Sequence, residues 1–377
     1  MPDSKPKKKV RILSLDGGGI RGIIPAVVLQ YVESELIKKT KNPNARIADF
    51  FDLIIGTSTG GILACYYLVP NEDRSPSSRF NASTALEIYT KKGGQIFNKA
   101  KRHSWLGFRQ LFNATKYAPD NLEQIFMETF GELKFHQLTK PCIVTSYDMS
   151  KGEAVFFNSR EPKEKQDKRQ FYLRDVARST SAAPTYFPPA IIENLISGDK
   201  MVNLDGGVFA NNPSMCAYAE ARKTNFESLG INRPTAKDML ILSIGTGSMP
   251  LDIENNRKSK KWGIINWAKV VPEIMMDGGL DTVNYQMDKI FKSLDEENQN
   301  NFKRVNVPKA LRFSNQKKNF KPPYNPDMSD ASPKNISALT KAGQLALEEA
   351  NQTRDGENTL DEFIDQLIAM ENTNLIV

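Results

Sequence analysis

Two short apolar runs in this chain each end in a glycine-rich turn and lead into an apolar pattern at helical spacing. Residues 10–15 (VRILSL) precede residues 16–22 (DGGGIRG), and residues 52–56 (DLIIG) precede residues 57–61 (TSTGG). A chain that leaves a buried strand through such a turn and enters a helix builds strand–helix units, which assemble into parallel sheets. We therefore predict an α/β fold with a mostly parallel central sheet covered by helices on both faces.

Other segments extend this pattern along the chain. We predict further strands at 141–147, 153–158, 201–204 and 239–244, and helices at 23–38, 59–68 and 173–181. Thr359 and Glu362 form a capping box ahead of apolar residues at helical spacing, which predicts a packed helix near the C-terminus. We expect a single domain over residues 10–377 after a basic flexible tail at 1–9. Its core motifs lie in 10–247 and its C-terminal helical packing in 258–372.

The composition excludes several classes of protein. The 377 residues are 40% hydrophobic and 25% charged, and no apolar run is long enough for a membrane-spanning helix. The basic N-terminus has no apolar stretch typical of a secretory signal, so we expect a cytoplasmic protein. The three cysteines, Cys65, Cys142 and Cys216, are widely spaced and odd in number, which argues against a disulfide framework or a zinc site. No cofactor is expected.

Charge is distributed unevenly along the chain. The formal net charge is +7, although the segment from residue 348 onward is strongly acidic, so the rest of the chain is more basic than the total suggests. The basic charge of the residues before 348 favours binding to an anionic surface, either a membrane or a nucleic acid. A purely solubilising role for these charges is the alternative.

The first glycine-rich turn matches a dinucleotide-binding pattern only in part. Gly17, Gly19 and Gly22 make a G-x-G-x-x-G after a predicted strand, but such a unit also needs an acidic residue about 20 positions further on. Residues 38–42 (KKTKN) contain none. A nucleotide-binding module that uses this loop for phosphate remains the competing hypothesis.

An oxyanion hole is the use of this loop that fits better. The backbone N–H groups of the loop from Gly17 to Gly19 can converge near a helix N-terminus, where negative charge is stabilised, and those of Gly18 and Gly19 are the candidate donors. Arg21 either supports the loop or lies near the anionic head of a substrate.

The second glycine-rich turn matches the nucleophile elbow. Gly56, Ser58 and Gly60 form G-x-S-x-G between a predicted strand and a predicted helix, which is the context that the elbow requires. Ser58 is then the nucleophile, and the N–H of Thr59 is an oxyanion donor. An ordinary glycine-rich turn is the alternative.

The base that activates Ser58 is predicted to be an aspartate. The only two histidines, His103 and His136, lie in a basic aromatic stretch and just before a strand, where surface or structural roles are more typical. Asp205 instead follows a short apolar strand, and the two glycines after it (Gly206 and Gly207) permit close approach of another backbone. A partly desolvated carboxylate can act as a base, although Asp205 as a turn or capping residue is the alternative.

With these motifs the chain resembles the patatin-like phospholipase family. DGGGIRG, GTSTG and the DGG at Asp205 match the family's three motifs in order and spacing, and a fourth block at 178–188 (RSTSAAPTYFP) matches as well. The similarity to plant patatins extends nearly from end to end. It implies a Ser–Asp dyad of Ser58 and Asp205, an oxyanion hole from the 17–19 loop, and metal-independent lipid acyl hydrolase activity of the phospholipase A1/A2 type.

The resemblance also bears on the biological role. The chain differs from plant storage patatins because it has no secretory signal, which argues against vacuolar storage. Some bacterial relatives are switched on by nucleotide signals in antiviral defence, so an effector role with a small-molecule activator is a further hypothesis.

Two basic aromatic stretches are candidates for contact with a membrane. They comprise residues 99–116, with Trp105, Phe108 and Phe112, and residues 258–269, with Trp262 and Trp267. Aromatic rings beside cations suit the headgroup layer of a bilayer, and we predict peripheral membrane contact there. Core anchoring by the tryptophans is the alternative. Stacking on RNA would use the same residues but leaves the serine elbow unexplained, so no nucleic acid polymer is expected as a partner.

Overall fold

The central element of the fold is a sheet, which has eight strands in the described part of the chain. A computed structural model describes residues 8–72, 77–97, 115–161, 167–247, 264–308 and 323–372. The strands of the sheet are β1 Val10–Leu15, β2 Leu53–Thr57, β3 Cys142–Asp148, β4 Glu153–Asn158, β5 Ala190–Glu193, β6 Lys200–Asp205, β9 Met239–Ile244 and β10 Phe302–Val305. A separate two-stranded ladder consists of β7 Asn225–Phe226 and β8 Ile231–Asn232.

The strand order confirms a mostly parallel sheet. Five neighbouring strands, in the order β10, β9, β1, β2 and β3, run parallel to one another. Both β4 and β6 pair with β3 in the antiparallel sense, and β5 pairs antiparallel with β6. The short strands β5 and β10 were not predicted, and β10 extends the sheet within the C-terminal region that was expected to be helical.

Helices lie on both faces of this sheet. In the described part of the chain they are α1 Ile23–Thr40, α2 Thr59–Tyr67, α3 Ala82–Ile96, α4 Asp120–Phe130, α5 Leu173–Thr180, α6 Gly207–Ala210, α7 Ser214–Lys223, α8 Ile264–Lys292, α9 Pro333–Ala350 and α10 Leu360–Asn372. None of them, as far as the chain is described, has the length and hydropathy needed to cross a bilayer.

Two hydrophobic clusters show how the sheet is covered. Side chains alternate along β1, so Leu13 and its neighbour Ile12 belong to different clusters. The cluster of Leu13 also contains residues of α1, α2, α3, α9 and α10, whereas that of Ile12 contains residues of α7 and α8. The predicted arrangement of helix, sheet and helix layers is therefore confirmed, as a single domain.

The strand β3 brings the ends of β2 and β6 together. One edge of β3 pairs with β4 over residues 143–148, so β2 and β6 share the opposite edge. Thr57 at the end of β2 pairs with Thr145, and Asp205 at the end of β6 pairs with Ser146. Because β2 is parallel and β6 antiparallel to β3, the two strands run toward each other. Their C-terminal ends therefore meet beside two consecutive residues of β3.

The last helix confirms the predicted capping box. The Thr359 N–H donates to Glu362 Oε2 at 2.6 Å, and the Glu362 N–H donates to Thr359 Oγ1 at 3.2 Å. On this helix, Leu360, Phe363 and Ile364 are fully buried in the hydrophobic cluster that also contains Leu13. The helix thus packs on the body of the domain.

Candidate active site

Ser58 lies in a strained turn between β2 and α2. Its φ of 53° and ψ of −125° fall outside the regions that residues with a Cβ usually adopt. Gly60 permits this turn, because a Cβ there would come within 2.2 Å of the Leu15 carbonyl oxygen at the end of β1. The turn presents Ser58 at the carboxyl ends of the parallel strands, as a nucleophile elbow does.

Hydrogen bonds fix the backbone around this serine. The Ser58 N–H donates to Thr180 Oγ1 at 2.8 Å. The Thr59 hydroxyl donates to the Tyr89 hydroxyl at 2.6 Å, and the Tyr89 hydroxyl donates back to the Thr59 carbonyl at 3.1 Å. The Thr59 N–H belongs to the first turn of α2, where amides have no partner within the helix. It is thus a candidate donor to an oxyanion formed next to Ser58.

The first glycine-rich loop passes directly over Ser58. A Cβ added to Gly17 would lie 3.2 Å from the Ser58 Cβ. Gly19 has a φ of 57°, a left-handed conformation that favours glycine, and it lines the same cavity as Ser58. The structure therefore brings together the two motifs that the sequence predicts to cooperate.

Long-range backbone hydrogen bonds help to anchor this loop. The Gly17 N–H donates to the Asn211 carbonyl at 2.9 Å, and the Ile20 N–H donates to the Met328 carbonyl at 2.8 Å. Because the Gly17 amide is engaged, the amides of the next two residues, Gly18 and Gly19, are the better candidates for oxyanion donors.

Arg21 lies behind the loop and supports it. The residue is buried, and its guanidinium donates to the carbonyl oxygens of Gly18 and Gly247, each at 3.4 Å. It is not among the residues that line the cavity. Of the two roles that the sequence suggests, this geometry favours support of the loop over contact with a substrate.

A buried ion pair holds the start of the loop. Asp16 is fully buried, and Arg304 on β10 donates to both of its carboxylate oxygens, with the Nη1–Oδ1 distance at 2.9 Å. Arg304 Nη1 also donates to Ser243 Oγ on β9 at 2.7 Å. Burial raises the pKa of Asp16, and the Arg304 guanidinium lowers it. No local sequence pattern marks this pair, because its partners are far apart in the chain.

Asp205 ends β6 in a buried position next to Ser58. Its backbone N–H donates to the Ala182 carbonyl at 3.0 Å, and its Oδ1 accepts the Gly207 N–H at 2.7 Å. Burial raises the pKa of Asp205 to about 7, although the Ser58 hydroxyl and the Gly207 amide lower it. A carboxylate whose pKa lies near neutrality is suited to exchange protons with a nearby hydroxyl.

Ser58, Asp205, Gly19 and Thr59 all line one cavity of about 260 Å³. Most of its remaining wall is apolar, with side chains from Ile62, Ile96, Phe97, Leu122 and Phe187. The helix α8 contributes further apolar residues at its edge. A serine, a carboxylate and backbone amides beside an apolar cavity form an arrangement that can transfer an acyl group.

The other predicted glycines lie close to these turns. Gly56 is in β2, and Gly22 ends the short turn before α1. Gly206 joins β6 to α6, and a Cβ there would come within 2.1 Å of the Thr145 Oγ1. Gly207 begins α6 and also lines the cavity.

Of the two histidines, only His136 lies in the described part of the chain, and it is not at this site. His136 lies in the short turn Phe135–Gln137 and is not among the residues that line the cavity. Burial and the charges of Lys134 and Arg160 lower the pKa of His136. His103, Trp105, Phe108, Phe112 and Trp262 lie outside the described residues, as does the side chain of Trp267. Over the described ranges, no group of three or more His, Cys, Asp or Glu residues could hold a metal ion.

Comparisons with known proteins agree with the motifs. A model of the patatin-like phospholipase family matches residues 13–218. Patatin-1-Kuras 2 of Solanum tuberosum is 31% identical over 367 residues, covering 95% of this chain and 91% of that protein. Patatin-16 of the same plant is 33% identical over 308 residues, with coverages of 79% and 76%. The crystal structure of VipD from Legionella pneumophila matches 98% of this chain and 75% of that chain, with 13% identity and a TM-score of 0.33. Because the match to the patatins spans almost the whole sequence, this chain belongs to the patatin-like phospholipase family.

Proposed function

We propose that this protein is a serine lipid acyl hydrolase of the phospholipase A type, acting on membrane glycerophospholipids through Ser58 and Asp205. Membership of the patatin-like phospholipase family supports lipid acyl hydrolase activity and a lipid substrate. The observation that carries the assignment of residues is the position of a strained serine beside a buried aspartate on one apolar cavity.

In the first half of the reaction Ser58 becomes acylated. Its Oγ attacks the carbonyl carbon of the ester, and its proton passes to the Asp205 carboxylate. The N–H groups of Gly18, Gly19 and Thr59 stabilise the tetrahedral oxyanion. When the intermediate collapses, the ester C–O bond breaks and the leaving lysophospholipid oxygen takes the proton from Asp205.

In the second half water releases the fatty acid. Asp205 removes a proton from a water molecule, whose oxygen attacks the acyl carbon. Collapse of the second tetrahedral intermediate breaks the bond to Ser58 Oγ and returns the proton to it. The apolar wall of the cavity suits the acyl chain, which stays out of water during both steps.

Covalent labelling tests this function and its pH dependence. Asp205 accepts a proton only when it is ionised, and its pKa is raised to about 7. We therefore expect a fluorophosphonate probe to label Ser58 at a rate that rises with pH through about 7 and falls about tenfold per unit on the acidic side. The measurement is the labelling rate between pH 5 and pH 9, with the modified residue identified by mass spectrometry.

The control is Ser58→Ala, which should not be labelled. A labelling rate that stays constant down to pH 5 would contradict a base with a raised pKa. No labelling of the intact protein, with or without lipid, would contradict the hydrolase and favour the competing nucleotide-binding hypothesis.

An exposed apolar face at the mouth of the cavity is suited to dock on a phospholipid bilayer. Val271, Ile274 and Met275 lie on one side of α8, with side chains exposed by 37%, 44% and 60%. Val271 and Met275 also line the cavity, so this α8 apolar face continues into it. A lipid ester must move from a bilayer to Ser58, and an apolar surface at the entrance shortens that path through water.

Ile274→Asp is expected to weaken both binding to phospholipid vesicles and hydrolysis of vesicle lipid by roughly tenfold to thirtyfold, since burying an isoleucine side chain is worth about 2 kcal/mol. Hydrolysis of a short water-soluble ester should change little, because Ile274 is not among the residues that line the cavity. Vesicle sedimentation and parallel assays on both substrates measure the effect.

Ile191→Asp provides a matched control for this variant. Ile191 is exposed by 69% on the short strand β5 and is not in the cavity wall. The same substitution there should leave vesicle hydrolysis unchanged. Equal losses on both substrates for Ile274→Asp would instead place this residue in the catalytic machinery and overturn the docking assignment.

The remaining sequence-based hypotheses stay predictions. They concern the domain limits, a cytoplasmic location, docking through the two basic aromatic stretches, a small-molecule activator, a role in antiviral defence and the absence of a nucleic acid partner. Assays on phospholipids labelled separately at the sn-1 and sn-2 chains, with and without candidate nucleotides, distinguish A1 from A2 activity and test for an activator.

A further inference from the structure

The C-terminal end of α5 holds the backbone of both residues of the proposed dyad. Thr180 Oγ1 accepts the Ser58 N–H at 2.8 Å. Two residues later, the Ala182 carbonyl accepts the Asp205 N–H at 3.0 Å. Thr180 and Ala182 are fully buried. A short segment thus connects two residues that otherwise reach the site on different strands.

The Thr180 hydroxyl is the more consequential of these two contacts. Ser58 precedes α2 with a positive φ, and Thr180 supplies the acceptor for its buried amide. A buried amide without a partner costs about 1–3 kcal/mol. The turn is therefore stabilised in its strained form by one hydroxyl group.

Packing holds this hydroxyl in place. A Cβ on Gly61, in the first turn of α2, would lie 3.0 Å from Thr180 Cγ2 and 3.2 Å from its Oγ1. Thr180 thus lies close against the start of the helix that follows Ser58. It is not among the residues that line the cavity, so its effect on the reaction is exerted through Ser58.

We propose that Thr180 is a positioning residue, which orients the Ser58 hydroxyl toward Asp205 by holding the Ser58 amide. This inference rests on the proposed function. A displacement of about 1 Å at a reacting group can lower a rate by 10²-fold even when the substrate binds normally. The expected signature is a fall in kcat with little change in KM.

A second signature separates positioning from a merely structural role. The Ser58 hydroxyl stabilises the ionised form of Asp205. If Ser58 turns away, this stabilisation is lost and the pKa of Asp205 rises. The pH midpoint of fluorophosphonate labelling then shifts upward, which a general loss of stability would not cause.

The test compares two substitutions at residue 180. Thr180→Val keeps the shape of the side chain and removes the hydroxyl, whereas Thr180→Ser keeps the hydroxyl and removes the methyl group. For Thr180→Val we expect kcat on a water-soluble ester to fall about tenfold to hundredfold, KM to stay within about twofold, and the labelling midpoint to rise. Thr180→Ser should retain most of the rate and the original midpoint.

Two outcomes would overturn the proposal. One is a valine variant with unchanged kcat and midpoint, and the other is a serine variant as impaired as the valine variant, which would assign the effect to the methyl group. If the valine variant does not fold, Thr180→Cys carries the same expectation, because a thiol is a weak acceptor. Absence of labelling at Ser58 in the unmodified protein would instead refute the proposed function itself.

Discussion

Ser58→Ala and Asp205→Asn are each expected to lower kcat by about 10⁴-fold or more on both phospholipid and soluble ester, while the protein remains folded. Ser58 provides the atom that becomes acylated, and Asp205 is the carboxylate beside it on the cavity. Neither substitution adds volume to the site. Steady-state kinetics and circular dichroism on the purified variants provide the measurement.

The double variant that combines Ser58→Ala with Asp205→Asn should have a kcat little lower than that of either single variant. Residues that act as one unit show non-additive losses, because removal of either partner already abolishes the step that they share. Replacement of both His103 and His136 by Gln serves as the control and should leave most of the activity. A folded double-histidine variant as inactive as Ser58→Ala would make a histidine the base and refute the role of Asp205.

Arg304→Gln is expected to destabilise the protein by about 3–5 kcal/mol, since it leaves a buried carboxylate without its counter-ion. Asp16 is fully buried and its pKa is raised by burial, whereas Arg304 lowers it. Without Arg304 the pKa of folded Asp16 rises further above its unfolded value. Folding is then favoured when Asp16 is protonated. The free energy of unfolding therefore falls as pH rises from the unfolded pKa of Asp16 toward its folded pKa. Urea unfolding at pH 5 and pH 8 measures both effects.

Two controls make this prediction specific to the buried pair. Arg304→Gln combined with Asp16→Asn should recover part of the stability, because no charge is then left unpaired in the interior. Lys237 and Asp295 form a pair at 2.9 Å with both side chains about half exposed, so Lys237→Gln should change the unfolding midpoint little. Equal losses for Arg304→Gln at both pH values would argue against ionisation of Asp16 as the cause.

Local patterns explain which parts of the site could be predicted. The elbow at Ser58 and the glycine-rich loop are each specified by a few consecutive residues, so their sequences carry the signal. Asp205 was predicted because it follows an apolar strand and precedes two glycines. The fold class followed from the alternation of strands and helices in the same way.

Contacts between distant segments left no such pattern. Arg304 lies in the four-residue strand Phe302–Val305. The two central residues of this strand are charged, so it lacks the apolar pattern that predicts a strand of the sheet. Thr180 lies within the motif block at 178–188, but only the structure shows that its hydroxyl accepts a hydrogen bond from the Ser58 amide. No sequence pattern indicates that the Gly17 amide donates to the Asn211 carbonyl.

The meeting of β2 and β6 beside β3 also determines when the site can exist during synthesis of the chain. A nascent chain that ends before β6 already contains Ser58 and the 17–19 loop, but it lacks Asp205. Arg304, which neutralises Asp16 at the start of that loop, is synthesised later still. These contacts have high sequence separation, which places them among the slower events of folding. In the proposed mechanism, a nascent chain that ends before β6 therefore has no base and cannot attack lipid.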